Sequence, residues 1–123
     1  MEHPRVLIVD DEDELVSAIE ERLNLRGFDA KGLTTGAEAL AYLENTPCDV
    51  VLLDVKMPGI GGLEVIRRIK EQRPKLEVIL LSGHGAAQDV KIGMGLGAFD
   101  YLMKPVDIDV LVRTLLSATD RPE

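Results

Sequence analysis

Residues 5–14 read RVLIVDDEDE, and the reading of this stretch decides the fold. The run RVLIV at 5–9 has the length and the β-branched, apolar composition of a buried strand, and it stops abruptly at Asp10-Asp11. Asp13 and Glu14 then open a helix, where carboxylates meet the positive end of the backbone dipole. Leu15, Ala18, Ile19, Arg22 and Leu23 recur at helical spacing, and Gly27 supplies the stop. A buried strand that ends in acids and turns at once into a helix sets an alternation that can be followed outward along the chain.

Residues 28–33 (FDAKGL) read as a weaker second strand. Thr35-Gly-Ala-Glu38 matches a capping box, in which a hydroxyl and a carboxylate satisfy open N–H groups, and Ala37, Leu40 and Ala41 are expected to form the buried face of the helix that follows. The run DVVLL at 49–53 is nearly all apolar, as in a strand covered on both faces. Beyond the loop DVKMPGIGG, Leu63, Ile66 and Ile69 mark a third helix, closed off by Pro74. Val78 to Leu81 form a fourth strand ending at Ser82-Gly83-His84-Gly85. A fourth helix over about 86–95 is poor, since Gly93 and Gly95 each cost up to ~1 kcal/mol relative to alanine. A fifth strand at about 98–102 runs out at Lys104-Pro105, and a last helix carries Ile108, Leu111, Val112, Leu115 and Leu116 on one face. Five strands alternating with five helices imply the α/β class: a parallel sheet with helices on both faces, joined by right-handed crossovers.

The composition bounds the function. A chain of 123 residues fits one domain with a single core. A net charge of −8 repels phosphate backbones and argues against direct nucleic-acid binding. No apolar run approaches the roughly 20 residues of a membrane helix, and the N-terminus has no signal-peptide pattern. A single cysteine, Cys48, excludes an internal disulfide and a thiolate metal cage, and reads as a packed or loop thiol. The expectation is a soluble, cytoplasmic chain without a membrane contact.

In sheets of this kind ligands bind beyond the carboxyl ends of the strands, where strand order reverses. Strand one ends in Asp10 and Asp11, strand three in Asp54 and strand four in Ser82, and strand five runs out at Lys104; residues far apart in sequence thus converge on one edge. Three carboxylates there raise each other's pKa unless a cation joins them, and an all-oxygen set suits Mg²⁺. A carboxylate nucleophile with a divalent metal, a lysine and a hydroxyl makes a site for phosphoryl transfer, which needs positioning and charge neutralisation more than acid–base groups. Asp54, central among the strands, is the expected acceptor and would become an acyl phosphate.

The blocks Val9-Asp10-Asp11-Glu12, Leu53-Asp54-Val55-Lys56-Met57-Pro58-Gly59, Leu81-Ser82-Gly83 and Tyr101-Leu102-Met103-Lys104-Pro105, each at its own strand end, resemble the receiver domain of bacterial two-component response regulators. The likeness covers the whole chain and implies one receiver domain over residues 1–123, with a flavodoxin-like doubly wound sheet in the order 2-1-3-4-5. It implies phosphorylation at Asp54, and Mg²⁺ held by Asp11, Asp54 and the main-chain carbonyl of Lys56, with Asp10 acting through water. It further implies that Lys104 pairs with phosphoryl oxygens, that Ser82 swings in to bond one of them, and that Tyr101 changes rotamer with it. Pro105 suggests a cis Lys-Pro peptide that aims Lys104 into the site. Lys56 and His84 would flank the path of attacking water, and the small Gly83 would keep the acceptor open to a bulky donor.

The partners implied are a sensor histidine kinase or histidine phosphotransfer protein as donor, and a downstream protein or output domain as target. Such a chain is not an enzyme on other substrates; it catalyses only its own phosphorylation and dephosphorylation. Phosphorylation adds charge and acceptor oxygens beside Mg²⁺ and Lys104, which biases a two-state surface. The glycine-rich IGMGLG at 92–97 makes helix four a soft element, so helix four, strand five and helix five form the expected output face.

Each feature has a plainer meaning when it stands alone. Asp10–Glu14 reads as a helix-capping acidic cluster, Asp54 as a turn residue before Pro58-Gly59, Ser82 as a turn former, Lys104 as a solvated cation and Tyr101 as edge packing. His84 and His3 read as surface loop residues. Gly93, Gly95 and Gly97 precede a strand instead of following one, which excludes a dinucleotide fingerprint. Two other functions stay in view. A Mg²⁺-dependent phosphatase resembling the haloacid dehalogenases would carry an acid two positions after its nucleophile, where Lys56 stands, and no cap domain exists. A receiver-like binding scaffold that never turns over phosphate would have no need of the intact acidic and lysine set. A free-standing receiver and one excised from a longer regulator read alike.

Overall fold

A computed structural model of the protein describes residues 4–120; His3 and residues 121–123 lie outside the described residues. Five strands and five helices alternate: β1 (Arg5–Val9), α1 (Asp13–Leu25), β2 (Asp29–Leu33), α2 (Gly36–Asn45), β3 (Val50–Asp54), α3 (Gly62–Gln72), β4 (Glu77–Ser82), α4 (Ala87–Gly95), β5 (Asp100–Met103) and α5 (Ile108–Thr119). All strand pairings are parallel, in the order β2-β1-β3-β4-β5. This is the flavodoxin-like doubly wound sheet expected from the sequence. None of the helices among the described residues is long and apolar enough to cross a membrane.

The two-residue period of the strands divides the core. Val6, Ile8, Val50, Leu52, Ile79 and Leu81 pack on one face against Val16, Ile19 and Leu23 of α1 and Leu111 and Leu115 of α5. Leu7, Val9, Val51, Leu53, Val78 and Leu80 meet Ala39 and Leu43 of α2 and Val65, Ile66 and Ile69 of α3 on the other. Every residue of β3 is buried, which is why its sequence shows no polar alternation. Each of these large side chains contributes about 1.5–3 kcal/mol of burial.

Helix faces were less legible than strands. In α1 the buried stripe is Val16, Ile19 and Leu23, while Ala18 and Arg22 are exposed and Leu15 is half-buried. In α2 it is Gly36, Ala39 and Leu43; Ala37 and Ala41 face solvent. Alanines satisfy either face of a helix, and the larger Val16 and Leu43 settle the rotation. Leu116 of α5 is exposed rather than part of the buried face. β5 begins at Asp100, two residues later than expected. One arm of the α2 capping box is present, with Thr35 Oγ1 accepting from the Glu38 N–H at 3.1 Å, while the Glu38 carboxylate accepts from the Thr35 hydroxyl at 3.1 Å rather than from a main-chain N–H.

Two close approaches explain glycines that weaken the helix pattern. At Gly93 of α4 an added Cβ would lie 2.5 Å from Leu80 Cδ1, so the residue that lowers helix propensity also lets α4 lie against β4. At Gly62, the first residue of α3, a Cβ would lie 2.1 Å from the carbonyl oxygen of Asp54 and 2.8 Å from the Cα of Val55.

The outer edge of β2 is closed by α1. Asn24 Oδ1 accepts from the Ala30 N–H at 2.8 Å while its Nδ2 donates to the Ala30 carbonyl at 3.3 Å, and Glu20 Oε2 accepts from the Gly32 N–H at 2.8 Å. Backbone groups that would otherwise template another strand are thus used within the chain.

Gly62→Ala forces a methyl group onto rigid backbone. It is expected to destabilise the fold by about 1–3 kcal/mol or more, read as a lowered urea midpoint at unchanged slope.

Candidate functional site

The sheet register brings the strand ends level. Val9 pairs with Leu53, Asp54 with Leu81, and Ser82 with Met103, so Asp10, Asp54, Ser82 and Lys104 emerge at one edge from four adjacent strands. Asp11 and Glu12 occupy the turn into α1. One carboxylate oxygen from each of Asp10, Asp11 and Asp54 lies within 4.8 Å of the others. Asp10 is fully buried and Asp54 is 4 % exposed, while Asp11 faces solvent.

Backbone geometry orients two of these acids. Asp10 Oδ1 accepts from the Glu12 N–H at 2.9 Å, and Asp54 Oδ1 accepts from the Lys56 N–H at 3.1 Å. Their other oxygens face Lys104, whose Nζ lies 2.8 Å from Asp10 Oδ2 and 3.6 Å from Asp54 Oδ2. The closer of these is an ion pair by distance, yet Asp10 Oδ2 has no partner in hydrogen-bonding geometry among the described residues. Nζ also donates to Glu12 Oε2 at 2.7 Å. The Lys104–Pro105 peptide is cis.

Burial pushes the Asp54 carboxyl up, from the ordinary 3.8 to about 6; the Lys56 N–H opposes this and the charge of Asp10 adds to it. Burial likewise raises Asp10, against the pull of Lys104. Burial alone would lower Lys104, but its close pairing with Asp10, its hydrogen bond to Glu12 and the charge of Asp54 more than reverse this, and the ammonium is held above its usual range. Buried carboxylates that resist ionisation, with one oxygen short of a hydrogen bond, fit a hard divalent cation with oxygen ligands.

The remaining residues singled out in the sequence surround this centre. Ser82 is buried, and its hydroxyl donates to the Gly83 carbonyl at 3.2 Å. It lines a cavity of about 510 Å³ with Val90, Met94, Met103 and Tyr101, and Tyr101 is 44 % exposed. Gly83 has open space around it: an added Cβ would meet nothing within 4 Å. His84 is exposed between this cavity and a second of about 520 Å³ beside Glu12 and Lys104. The Lys56 side chain is exposed and reaches α4, with Nζ 3.7 Å from Asp89 Oδ2. Cys48 stands apart, half-buried, its thiol donating to the Val50 carbonyl at 3.2 Å and pushed up by burial.

Sequence reasoning assigned no role to Glu12 or Asp89. Glu12 was within reach, since it follows the acidic pair at the same strand end. Asp89 was not, because only the packing of α4 against the β3–α3 loop brings it to Lys56.

A buried acidic pair facing a lysine across the carboxyl edge of a 2-1-3-4-5 sheet defines a class of signalling domain. Residues 6–116 match the response regulator receiver domain, and the chain belongs to that family. It is 36% identical over 109 residues to the transcriptional regulatory protein PrrA of Mycobacterium leprae, covering 89% of this chain and 47% of that protein. It is 34% identical over 118 residues to the C4-dicarboxylate transport transcriptional regulatory protein DctD of Rhizobium meliloti, covering 96% of this chain and 26% of that one. The chain thus spans between about a quarter and about half the length of these curated relatives. Among solved structures it is similar to a receiver domain protein from Clostridium thermocellum, with TM-score 0.89, 34% identity and 94% of each chain covered. The receiver domain of NtrX from Brucella abortus gives TM-score 0.88 at 29% identity, with 93% of this chain and 97% of that one covered.

An acid with a raised folded pKa holds its proton more tightly folded than unfolded, so stability falls as pH rises from about 4 to about 6 and stays lowered above that. Asp54→Asn keeps the oxygen that accepts from Lys56 and removes the charge. In EDTA at pH 7.5 it is expected to be more stable than the parent by about 1–3 kcal/mol, a gap that closes below pH 4, as urea unfolding will show.

Proposed function

We propose that this receiver takes a phosphoryl group onto Asp54 from a phosphohistidine of a sensor kinase or phosphotransfer protein. The observation that carries this reading is the single buried carboxylate at the end of the fully buried central strand, facing Lys104 across the site. A carboxylate oxygen of Asp54 attacks phosphorus, and the P–N bond breaks with its electron pair left on the imidazole nitrogen, which takes a proton. Water later attacks the acyl phosphate, releasing inorganic phosphate and restoring the carboxylate.

Asp10, Asp11 and Asp54, with the main-chain carbonyl of Lys56, are the groups that would hold Mg²⁺, and the bound ion would neutralise charge on the phosphoryl oxygens. Lys104 supplies the second positive charge, and the Ser82 hydroxyl, now spent on the adjacent carbonyl of Gly83, is free to exchange that bond for a phosphoryl oxygen. Tyr101 follows into the cavity that Ser82 lines. Gly83 leaves the acceptor open to a bulky donor, while Lys56 and His84 stand beside the approach of water. On this reading residues 1–123 act as one cytoplasmic receiver module that turns over only its own phosphoryl group.

The output is carried by α4, β5 and α5, where Ile92, Met94, Tyr101, Met103 and Leu116 are exposed. A face this apolar fits a protein partner or an output domain. The names of PrrA and DctD, transcriptional regulators, agree with control through such a partner, and a net charge of −8 argues against the receiver itself touching DNA.

Acetyl phosphate with Mg²⁺ is expected to add one phosphoryl group by intact mass, and to add none with EDTA or to Asp54→Asn. A folded, Mg²⁺-binding parent that adds none would turn the reading toward a binding scaffold. Amide exchange after phosphorylation is expected to change in α4 and β5; an unchanged face there would remove the proposed output surface.

A further inference from the structure

Glu12 is the N-cap residue of α1, yet its side chain makes no capping hydrogen bond. Its main chain is pinned, because its N–H donates to Asp10 Oδ1, and its carboxylate crosses instead to Lys104, 92 positions away in sequence. The Lys104 ammonium has three donors on one compact charge. It lies 2.7 Å from Glu12 Oε2 and 2.8 Å from Asp10 Oδ2, against 3.6 Å from Asp54 Oδ2. The cation is therefore biased toward β1 and α1, with Asp54 the most distant of its three ion-pair partners.

We propose that Glu12 is a latch on Lys104: it holds the ammonium away from Asp54 in the unphosphorylated chain and releases it when a phosphoryl group arrives. The inference rests on the phosphoacceptor reading and adds to it a positioning residue that never touches phosphate. The two carboxylates that hold Lys104 differ in what they can do. Asp10 is fully buried and keeps its place, whereas the Glu12 side chain is 59 % exposed and can exchange the ammonium for water at small cost. Lys104 itself is only 18 % exposed, so its partners compete with little screening. Release of Glu12 is the movement that lets the ammonium swing from β1 and α1 toward a phosphoryl oxygen, and its ease sets how fast the site accepts.

Glu12→Gln retains length and a hydrogen-bonding oxygen and removes the charge. With saturating Mg²⁺ at pH 7.5, its initial rate of phosphoryl uptake from acetyl phosphate is expected to exceed that of the parent by about 1.5- to 5-fold. Glu14→Gln, which removes an exposed charge from the same turn of α1, is expected to match the parent. In a Lys104→Met background the gain from Glu12→Gln is expected to vanish, since the latch works only through that ammonium. Parent uptake with no gain in Glu12→Gln overturns the latch. So does a gain that persists without Lys104 or appears equally in Glu14→Gln, because either marks general repulsion of an anionic donor. A folded parent that takes up no phosphoryl group removes the acceptor reading and the latch together.

Discussion

One ammonium group holds together a site that would otherwise push itself apart. Lys104 Nζ reaches Asp10, Glu12 and Asp54 at once, and of these Asp10 and Asp54 are buried where ionised carboxylates are poorly solvated. The sheet supports this arrangement at a cost in stability, offset by the apolar side chains of β1, β3 and β4 packed beneath it. The site lies where the fold is least comfortable: burial raises the Asp54 carboxyl, and nearby positive charge relieves it.

Strand composition carried most of the architecture. RVLIV and DVVLL are runs with no polar alternation, which only a sheet covered on both sides explains, and the acids that end them mark the functional edge before any contact is known. The convergence of Asp10, Asp54, Ser82 and Lys104 follows from parallel topology alone, because every strand then ends on the same side. The helices were harder. Their rotation was misjudged where small residues stood on two faces, as with Ala37 and Ala39, and the exposure of Leu116 depends on its being left uncovered by any other element.

What pattern reading missed is the side-chain wiring between elements. The Lys56 ammonium turns to Asp89 on α4, and the Glu12 carboxylate turns to Lys104 instead of capping its own helix. Both links depend on how far a long side chain reaches once two loops are adjacent, and neither has a signature in spacing or composition. They join the carboxyl edge of the sheet to α4 on one side and to α1 on the other.

The sealing of β2 by Asn24 and Glu20 gives the sheet two unlike flanks. On one, the N–H and carbonyl of Ala30 and the N–H of Gly32 are already bonded to the neighbouring helix. On the other, β5 carries the exposed Tyr101 and Met103 beside α4. The molecule is thereby handed: among the described residues, the edge strand left without such a helical cover is the one that leads into Lys104.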